Sequence, residues 1–436
     1  MDITIQPHTF WGNVRIPASK SHTIRQLLIA GFADGASKIN FPLDSLDARS
    51  CLSICKNLGV QVEETLTKSG QIESWTVHGI NGADGLKQPI NNPLLDVGNS
   101  GTTLFLALAM ASLGSTPLSF TGDRQIERRS ALPLLQALSA LGITVSSNTH
   151  GCVPITVCGP WKGGKCSLSC PTSQYLSAIL LAAPLAEKGV ITEIDVPLLN
   201  EKPYIEMTLS YLHSQGVKLT HTEEFSNFVI EGGHRYKPLN NAVPADFSSA
   251  AFPACAALVS KGKVTLQGLD PADFQGDKEF FNIIASMGAG VKWGKKETNG
   301  KPEYEVSVWY KGDLHGGAFD LNDTPDLLPV VSIVAAFSSG ETRLYNVAHA
   351  RIKETDRIAC MAAELGKIGV TCRELPDGLI ITGSTPHGGK IDGGDDHRIV
   401  MAFAAAACGA SAPLTIQTAE AADVTYPGFL DLLKLN

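Results

Sequence analysis

At 436 residues the chain is too long for one ordinary hydrophobic core, and two or three domains of roughly 100 to 200 residues each are expected. Its hydrophobic fraction of 44% is that of a globular protein, and its formal charge of −8 argues against a nucleic-acid or membrane-surface binder, whose phosphate partners call for a basic face. Any anion bound here must therefore meet a local cluster of cations.

The N-terminal stretch "MDITIQPHTFWGNVRIP" alternates as a strand does and lacks the basic start and apolar core of a signal peptide. No uncharged apolar run of about 18 residues follows, so no membrane span is expected and the cytoplasm is the expected location. The ten cysteines are scattered without a C-x-x-C pair. His150, Cys152, Cys158, Cys166 and Cys170 come nearest to a metal constellation, but their spacing fits no common zinc pattern. Reduced thiols and no metal site are the expectation.

Along the chain one pattern recurs six times: a small-residue apolar run, a turn at a glycine, and a short β-like run. The copies are "RQLLIAGFADGASKINF", "TLFLALAMASLGSTPLSF", "LSAILLAAPLAEKGVITEI", "AAFPACAALVSKGKVTLQG", "LPVVSIVAAFSSGETRLYNV" and "IVMAFAAAACGASAPLTIQ". Their turn glycines, Gly35, Gly114, Gly189, Gly262, Gly340 and Gly409, set a period of roughly 70 to 80 residues, too long for a common solenoid repeat. Between them lie amphipathic helices that end at Gly59, Gly142, Gly216, Gly288 and Gly369, where a helix C-cap calls for a left-handed residue. The sixth copy stops within this second helix, "GFLDLLKLN". Each unit reads helix, strand, helix, then one or two strands, with the alanine-rich helices inside.

A buried helix leaves its first N–H groups without partners unless a cap or a ligand takes them. The stretches ahead of the six apolar runs are "PASKSHTI", "DVGNSGTT", "SCPTSQY", "VPADFSSA", "LNDTPDLL" and "GGDDHR". Each carries Ser, Thr, Asp or Asn near a cap position, and routine N-caps would account for any one of them. Several also carry groups that a cap does not need: Lys20 and Arg25, Gln174, Asp326, and His397 with Arg398. Farther along, "HARIKETDRIA" places Arg351, Lys353, Glu354, Asp356 and Arg357 within seven positions. Converging helix N-termini form an anion site. With Lys20, Arg25, Arg129, Lys353, Arg357 and Arg398 beside them, they imply a substrate bearing several negative charges.

These motifs, in this order, resemble the 5-enolpyruvylshikimate-3-phosphate (EPSP) synthase family, also called 3-phosphoshikimate 1-carboxyvinyltransferases. "PASKSHTIR" is similar to the family's N-terminal Lys-Ser motif and "GNSGTT" to its glycine-rich loop; "TSQ", "EKPY", "DFSSA", "TPD", "RIKETDR" and "DDHR" follow. The most specific element is "KETDR" with "DHR" after it. The resemblance covers the whole chain. It implies an α/β fold of two domains, each an inside-out α/β barrel of three βαβαββ repeats. It places one domain over 1–18 and 245–436, the other over 19–244, and the active site in the interdomain cleft.

The implied activity is transfer of the enolpyruvyl group of phosphoenolpyruvate to the 5-hydroxyl of shikimate 3-phosphate by addition and elimination, a step of the shikimate pathway toward chorismate and aromatic amino acids. By resemblance, Lys20, Ser21 and Arg25 grip the acceptor's carboxylate side, Thr172 and Ser173 its phosphate, and Asp326 and Lys353 its ring hydroxyls, with Gln174 and His349 also in that site. Phosphoenolpyruvate falls to Arg129, Arg357 and Arg398, beside Lys20, Gly101 and Gln174. Arginine suits this task because its fork grips carboxylate and phosphate bidentately. Asp326 and Glu354 are implied in proton transfer, and Lys20 in charge stabilisation and leaving-group protonation. No metal or organic cofactor is implied, since phosphoenolpyruvate carries its own leaving group. The partners are the two small substrates, without nucleic acid or membrane, and a monomer is expected.

Three positions depart from the family pattern. Val424, in "ADVTYPGF", stands where a lysine is usual, Phe105 where many members carry arginine, and Glu201, ahead of "KPY", where serine or arginine helps to bind phosphate. A carboxylate facing a phosphate repels it, so Glu201 is expected either to turn away or to mark a different acceptor. His349 takes a position where asparagine can stand. Two alternatives follow: a non-catalytic or altered-acceptor paralogue, and UDP-N-acetylglucosamine enolpyruvyl transferase. The latter usually presents a cysteine on the loop that corresponds to "TGDRQIERRS", which has none.

Overall fold

The structure, a computed structural model, describes residues 1–88, 90, 92–298 and 301–434. The chain forms two compact units: an inserted unit, Ala18–Val243, and a terminal unit, Met1–Pro17 with Pro244–Asn436. Each has its own apolar core.

The inserted unit carries helices α1 (Lys20–Gly31), α2 (Leu46–Asn57), α3 (Gly101–Ala111), α4 (Leu132–Ala140), α5 (Gln174–Ala182) and α6 (Lys202–Gln215). The terminal unit carries α7 (Phe247–Val259), α8 (Glu279–Ser286), α9 (Leu328–Ala336), α10 (Arg357–Lys367), α11 (His397–Gly409) and α12 (Phe429–Leu432). Odd-numbered helices arise from the six apolar runs. Every residue of α3, α7 and α9 is buried, as a helix apolar all round requires. Their alanines and serines let neighbours approach closely: α3 packs on α1 and α5, and α7, α9 and α11 pack on one another. Even-numbered helices are one-sided. In α10 the buried Ile358, Met361 and Leu365 recur at helical spacing while Lys367 faces water.

Each unit is walled by three small sheets with one plan, a parallel pair extended by antiparallel strands. In the first, Asn240–Ala242 runs parallel to Ala36–Asn40, which pairs antiparallel with Ile72–His78 and then Gln61–Leu66. The five glycines that end the outer helices all have positive φ, from 77° at Gly216 to 105° at Gly288. Gly262, by contrast, has an ordinary φ but approaches so closely that a β-carbon there would lie 1.9 Å from the Phe10 carbonyl oxygen.

Sheet closure depends on distant segments. The parallel partner of Lys263–Gln267 is Trp11–Arg15, and the sixth sheet, Gly389–Asp392 with Leu414–Gln417, is completed by Ile3–Ile5, with Ile3 opposite Ile416. Among the described residues the sixth repeat thus has no hairpin of its own after α12, and its last two residues lie outside those described. No helix among the described residues is long and apolar enough to cross a membrane.

Candidate active site

Within the inserted unit the starts of α1, α3 and α5 are tied together by polar side chains. Lys20, first residue of α1, places its ammonium 3.0 Å from Asp47 Oδ2 in the first turn of α2. Thr103 of α3 donates to the Asp47 carbonyl at 3.5 Å. Gln174, opening α5, donates from Nε2 to Thr102 Oγ1 at 3.3 Å. Ser100 caps α3 by accepting from Thr103 N.

Arg129 follows a short 3-10 turn and brings its guanidinium against the start of α3. A β-carbon at Gly101 would lie 1.9 Å from Arg129 Nη1. Glycine at this position is therefore what lets the guanidinium lie beside the free N–H groups of the helix. A cation and helix donors aimed at the same place suit an anion.

Arg25 is anchored by the protein itself. It donates to Thr208 Oγ1 at 2.9 Å, to the Ser21 carbonyl at 3.1 Å, to Ser177 Oγ at 3.3 Å and to the Tyr204 carbonyl at 3.4 Å. Burial pulls its guanidinium down to about 10, against the opposing influence of Tyr211, Tyr204 and Glu201. It binds α1, α5 and α6 into one block, and Ser21 touches it through its carbonyl.

Thr172 and Ser173 meet Glu201, which does not turn away. Its Oε2 accepts from Thr172 Oγ1 at 3.0 Å, Ser173 N at 3.0 Å and Ser173 Oγ at 2.8 Å. Of the two alternatives for Glu201, the one in which its carboxylate turns away from these donors is excluded by that geometry.

In the terminal unit Arg357, first residue of α10, is fully buried and donates to three carboxylates: Asp396 from Nε at 2.8 Å, Asp326 from Nη1 at 2.7 Å and Glu354 from Nη2 at 2.6 Å. Arg398 Nη2 takes the other oxygen of Asp326 at 2.7 Å. Burial alone would raise the Asp326 carboxyl, but Arg398, Arg357 and Lys353 together hold it well below the usual carboxylate range. Burial likewise works against the charge on Arg357, yet Asp396, Glu354 and Asp326 raise its pKa well above the ordinary arginine value. Asp326 precedes α9, and His349 donates from Nε2 to the Asn322 carbonyl on the same approach at 3.1 Å. Asp326, Glu354, Arg357, Asp396 and Arg398 therefore form one charge-paired network.

The model of the family described as EPSP synthase (3-phosphoshikimate 1-carboxyvinyltransferase) matches residues 5–433. The chain belongs to the EPSP synthase family. A relative named 3-phosphoshikimate 1-carboxyvinyltransferase from Ruminiclostridium cellulolyticum is 42% identical, covering 100% of this chain and 98% of its own. One of the same name from Acetivibrio thermocellus is 44% identical over 97% and 95%. Among solved structures, an EPSP synthase from Acinetobacter baumannii superposes with a TM-score of 0.81 at 28% identity, covering 99% of this chain and 97% of that one. The enolpyruvyl transferase NikO from Streptomyces tendae shares the fold, with a TM-score of 0.75 at 16% identity over 99% and 96%.

Against the EPSP synthase family pattern, two of the three departures are structural. Phe105 is buried and meets Tyr175 edge-on, with ring centroids 5.0 Å apart. Val424 is itself buried and closes a 3-10 turn, Ala419–Val424, whose alanines are also buried. Sequence reasoning missed Asp47, which meets Lys20, Asp396, which holds Arg357, and the buried Asp277, whose carboxyl feels Asp326 and Arg398. Asp396 both caps α11, accepting from Arg398 N at 2.9 Å, and holds Arg357. Its place ahead of an apolar run was a signal for the cap but not for the ion pair.

Proposed function

We propose that the chain transfers the enolpyruvyl group of phosphoenolpyruvate to the 5-hydroxyl of shikimate 3-phosphate and releases phosphate, as a cytoplasmic monomer of the shikimate pathway. Membership of the EPSP synthase family supports this reading. Among the structural observations, the one that carries it is the Asp326 carboxylate gripped by Arg357 and Arg398, which keeps an ionised acceptor of hydrogen bonds beside two guanidinium groups.

In this proposal the two groups of residues act on the same pair of substrates. Lys20, Ser21 and Arg25 serve the acceptor's carboxylate side, Thr172, Ser173 and Gln174 its phosphate, and Asp326, His349 and Lys353 its hydroxyls. Arg129 and Arg398 grip phosphoenolpyruvate, with Gly101 giving room and Arg357 contributing its fixed charge. The acceptor hydroxyl forms a bond to C2 of the enol while a proton goes to the methylene carbon. That carbon then returns a proton as the C–O bond to phosphate breaks. Asp326 orients the hydroxyl and takes its proton only as the new bond forms, because so weak a base gains little earlier. Glu354 exchanges the proton at carbon, and Lys20 stabilises the departing phosphate.

The test is inorganic phosphate release from phosphoenolpyruvate with shikimate 3-phosphate or with unphosphorylated shikimate as acceptor. Release that depends on the 3-phosphate upholds the proposal. Release with shikimate alone reassigns the acceptor, and release with neither removes the catalytic reading.

A further inference from the structure

Glu201 is an odd residue for its place. It is the N-cap position of α6, yet its side chain makes no capping bond there. Its backbone lies at φ 60° and ψ 44°, in the left-handed region that side chains other than glycine, asparagine and aspartate seldom adopt. That conformation carries the carboxylate back to the start of α5, where one oxygen collects a threonine hydroxyl, a serine hydroxyl and a backbone N–H. Thr172, Ser173 and Glu201 are respectively 6%, 1% and 3% exposed. Three donors focused on one buried oxygen at a helix N-terminus make a seat for an oxyanion, and the chain supplies that oxyanion itself. The charge is felt nearby, since Glu201 is among the groups that support the protonated form of Arg25.

We propose that Glu201 is an internal placeholder for the acceptor's phosphate and sets the specificity for it. The inference rests on the acceptor assigned above. In the ligand-free chain the carboxylate occupies the Thr172–Ser173 seat. A phosphate dianion and a carboxylate cannot share these donors, because both only accept and both are negative. The phosphate therefore binds by displacing Glu201, and the chain holds a 3-phosphorylated acceptor more weakly than it would with serine at this position. An acceptor without the phosphate leaves Glu201 where it is.

The experiment is a binding titration of the full chain and of Glu201→Ser and Glu201→Gln, followed by calorimetry, with shikimate 3-phosphate, shikimate and inorganic phosphate as separate probes. Shikimate 3-phosphate should bind Glu201→Ser about tenfold or more tightly, with Glu201→Gln between it and the parent, because removing a like charge is the larger part of the change. Affinity for shikimate should change less than about twofold, as no group on it meets the seat. Glu201→Gln keeps the shape of the side chain and guards against a serine variant that fails to fold. Unchanged or weaker binding of shikimate 3-phosphate by both variants overturns the placeholder, while phosphate release with that acceptor would still uphold the proposed function. Conversely, a gain in inorganic phosphate binding by Glu201→Ser, with shikimate 3-phosphate bound by no form, keeps the placeholder and removes the acceptor assignment.

Discussion

Asp396 holds Arg357 through two contacts, Oδ2 to Nε at 2.8 Å and Oδ1 to Nη2 at 3.2 Å, with both side chains fully buried. A carboxylate at the cap of α11 thereby fixes the guanidinium that in turn grips Asp326 and Glu354. Asp396→Ala should cost about 3 kcal/mol of unfolding free energy, near the lower end for a broken buried pair because two carboxylates still face Arg357. Activity should fall by a larger factor than stability explains, since Arg357 and the carboxylates it orients lose their common anchor. Denaturant unfolding and phosphate release measured together check this. A stable variant with ordinary turnover would show that the network is structural only.

Lys20 is predicted to be dispensable for folding but not for turnover. Removing it leaves Asp47 buried, yet Asp47 lies in the first turn of α2, where free N–H groups and the helix dipole favour a negative charge. Lys20→Ala should therefore melt within a few degrees of the parent while kcat falls by about 10²- to 10⁴-fold, the usual worth of a positioned acid or base. Turnover near the parent's would mean that the ammonium serves only Asp47.

The features legible in the sequence were local ones. Apolar runs such as "TLFLALAMA" declare a buried helix by composition, and Gly59, Gly142, Gly216, Gly288 and Gly369 mark helix ends because a left-handed C′ residue is a short-range requirement. Pairing of Ile3 with Ile416, or of Ala242 with Asn40, joins segments that no local pattern links. The same divide runs through the site. Glu354 and Arg357 stand three positions apart in one motif, whereas Asp326 reaches Arg357 from just ahead of α9, 31 residues earlier in the same repeat, and Asp396 reaches it from the next repeat. Glu201 was recognisable as an anion among phosphate ligands, but its direction depends on a backbone conformation that its residue type does not suggest.

Gly101 should tolerate a methyl group in its backbone and not in its surroundings. It opens α3 without a left-handed φ, and alanine is the better helix former by about 1 kcal/mol. The added β-carbon would instead lie 1.9 Å from Arg129 Nη1, so the guanidinium must move. Gly101→Ala should raise the KM for phosphoenolpyruvate by about 10- to 100-fold, the scale of a misplaced positioning group, and leave the KM for the acceptor and the melting temperature nearly unchanged. Equal shifts in both Michaelis constants would mean that Arg129 does not serve one substrate alone.

Asp277 makes stability depend on pH in an unusual direction. It is fully buried and accepts from Ser248 Oγ at the start of α7. Burial, reinforced by Asp326 and opposed by Arg398, pushes its carboxyl from 3.8 up to about 7. Between those values the folded chain keeps a proton that the unfolded chain has released. Stability from this group is therefore intact below pH 3.8, falls as pH rises toward 7, and is lost above it. A neutral Asp277 also leaves Asp326 as the charged partner of Arg398, so the two carboxylates need not repel. Asp277→Asn mimics the protonated form at every pH. Its melting temperature should match the parent's only below about pH 3.8, exceed it increasingly as pH rises toward 7, and exceed it most above that, where the parent must carry a buried charge or bind a proton against the solution. Parallel melting profiles for the two proteins from pH 5 to 8 would show that Asp277 holds no proton in the folded state.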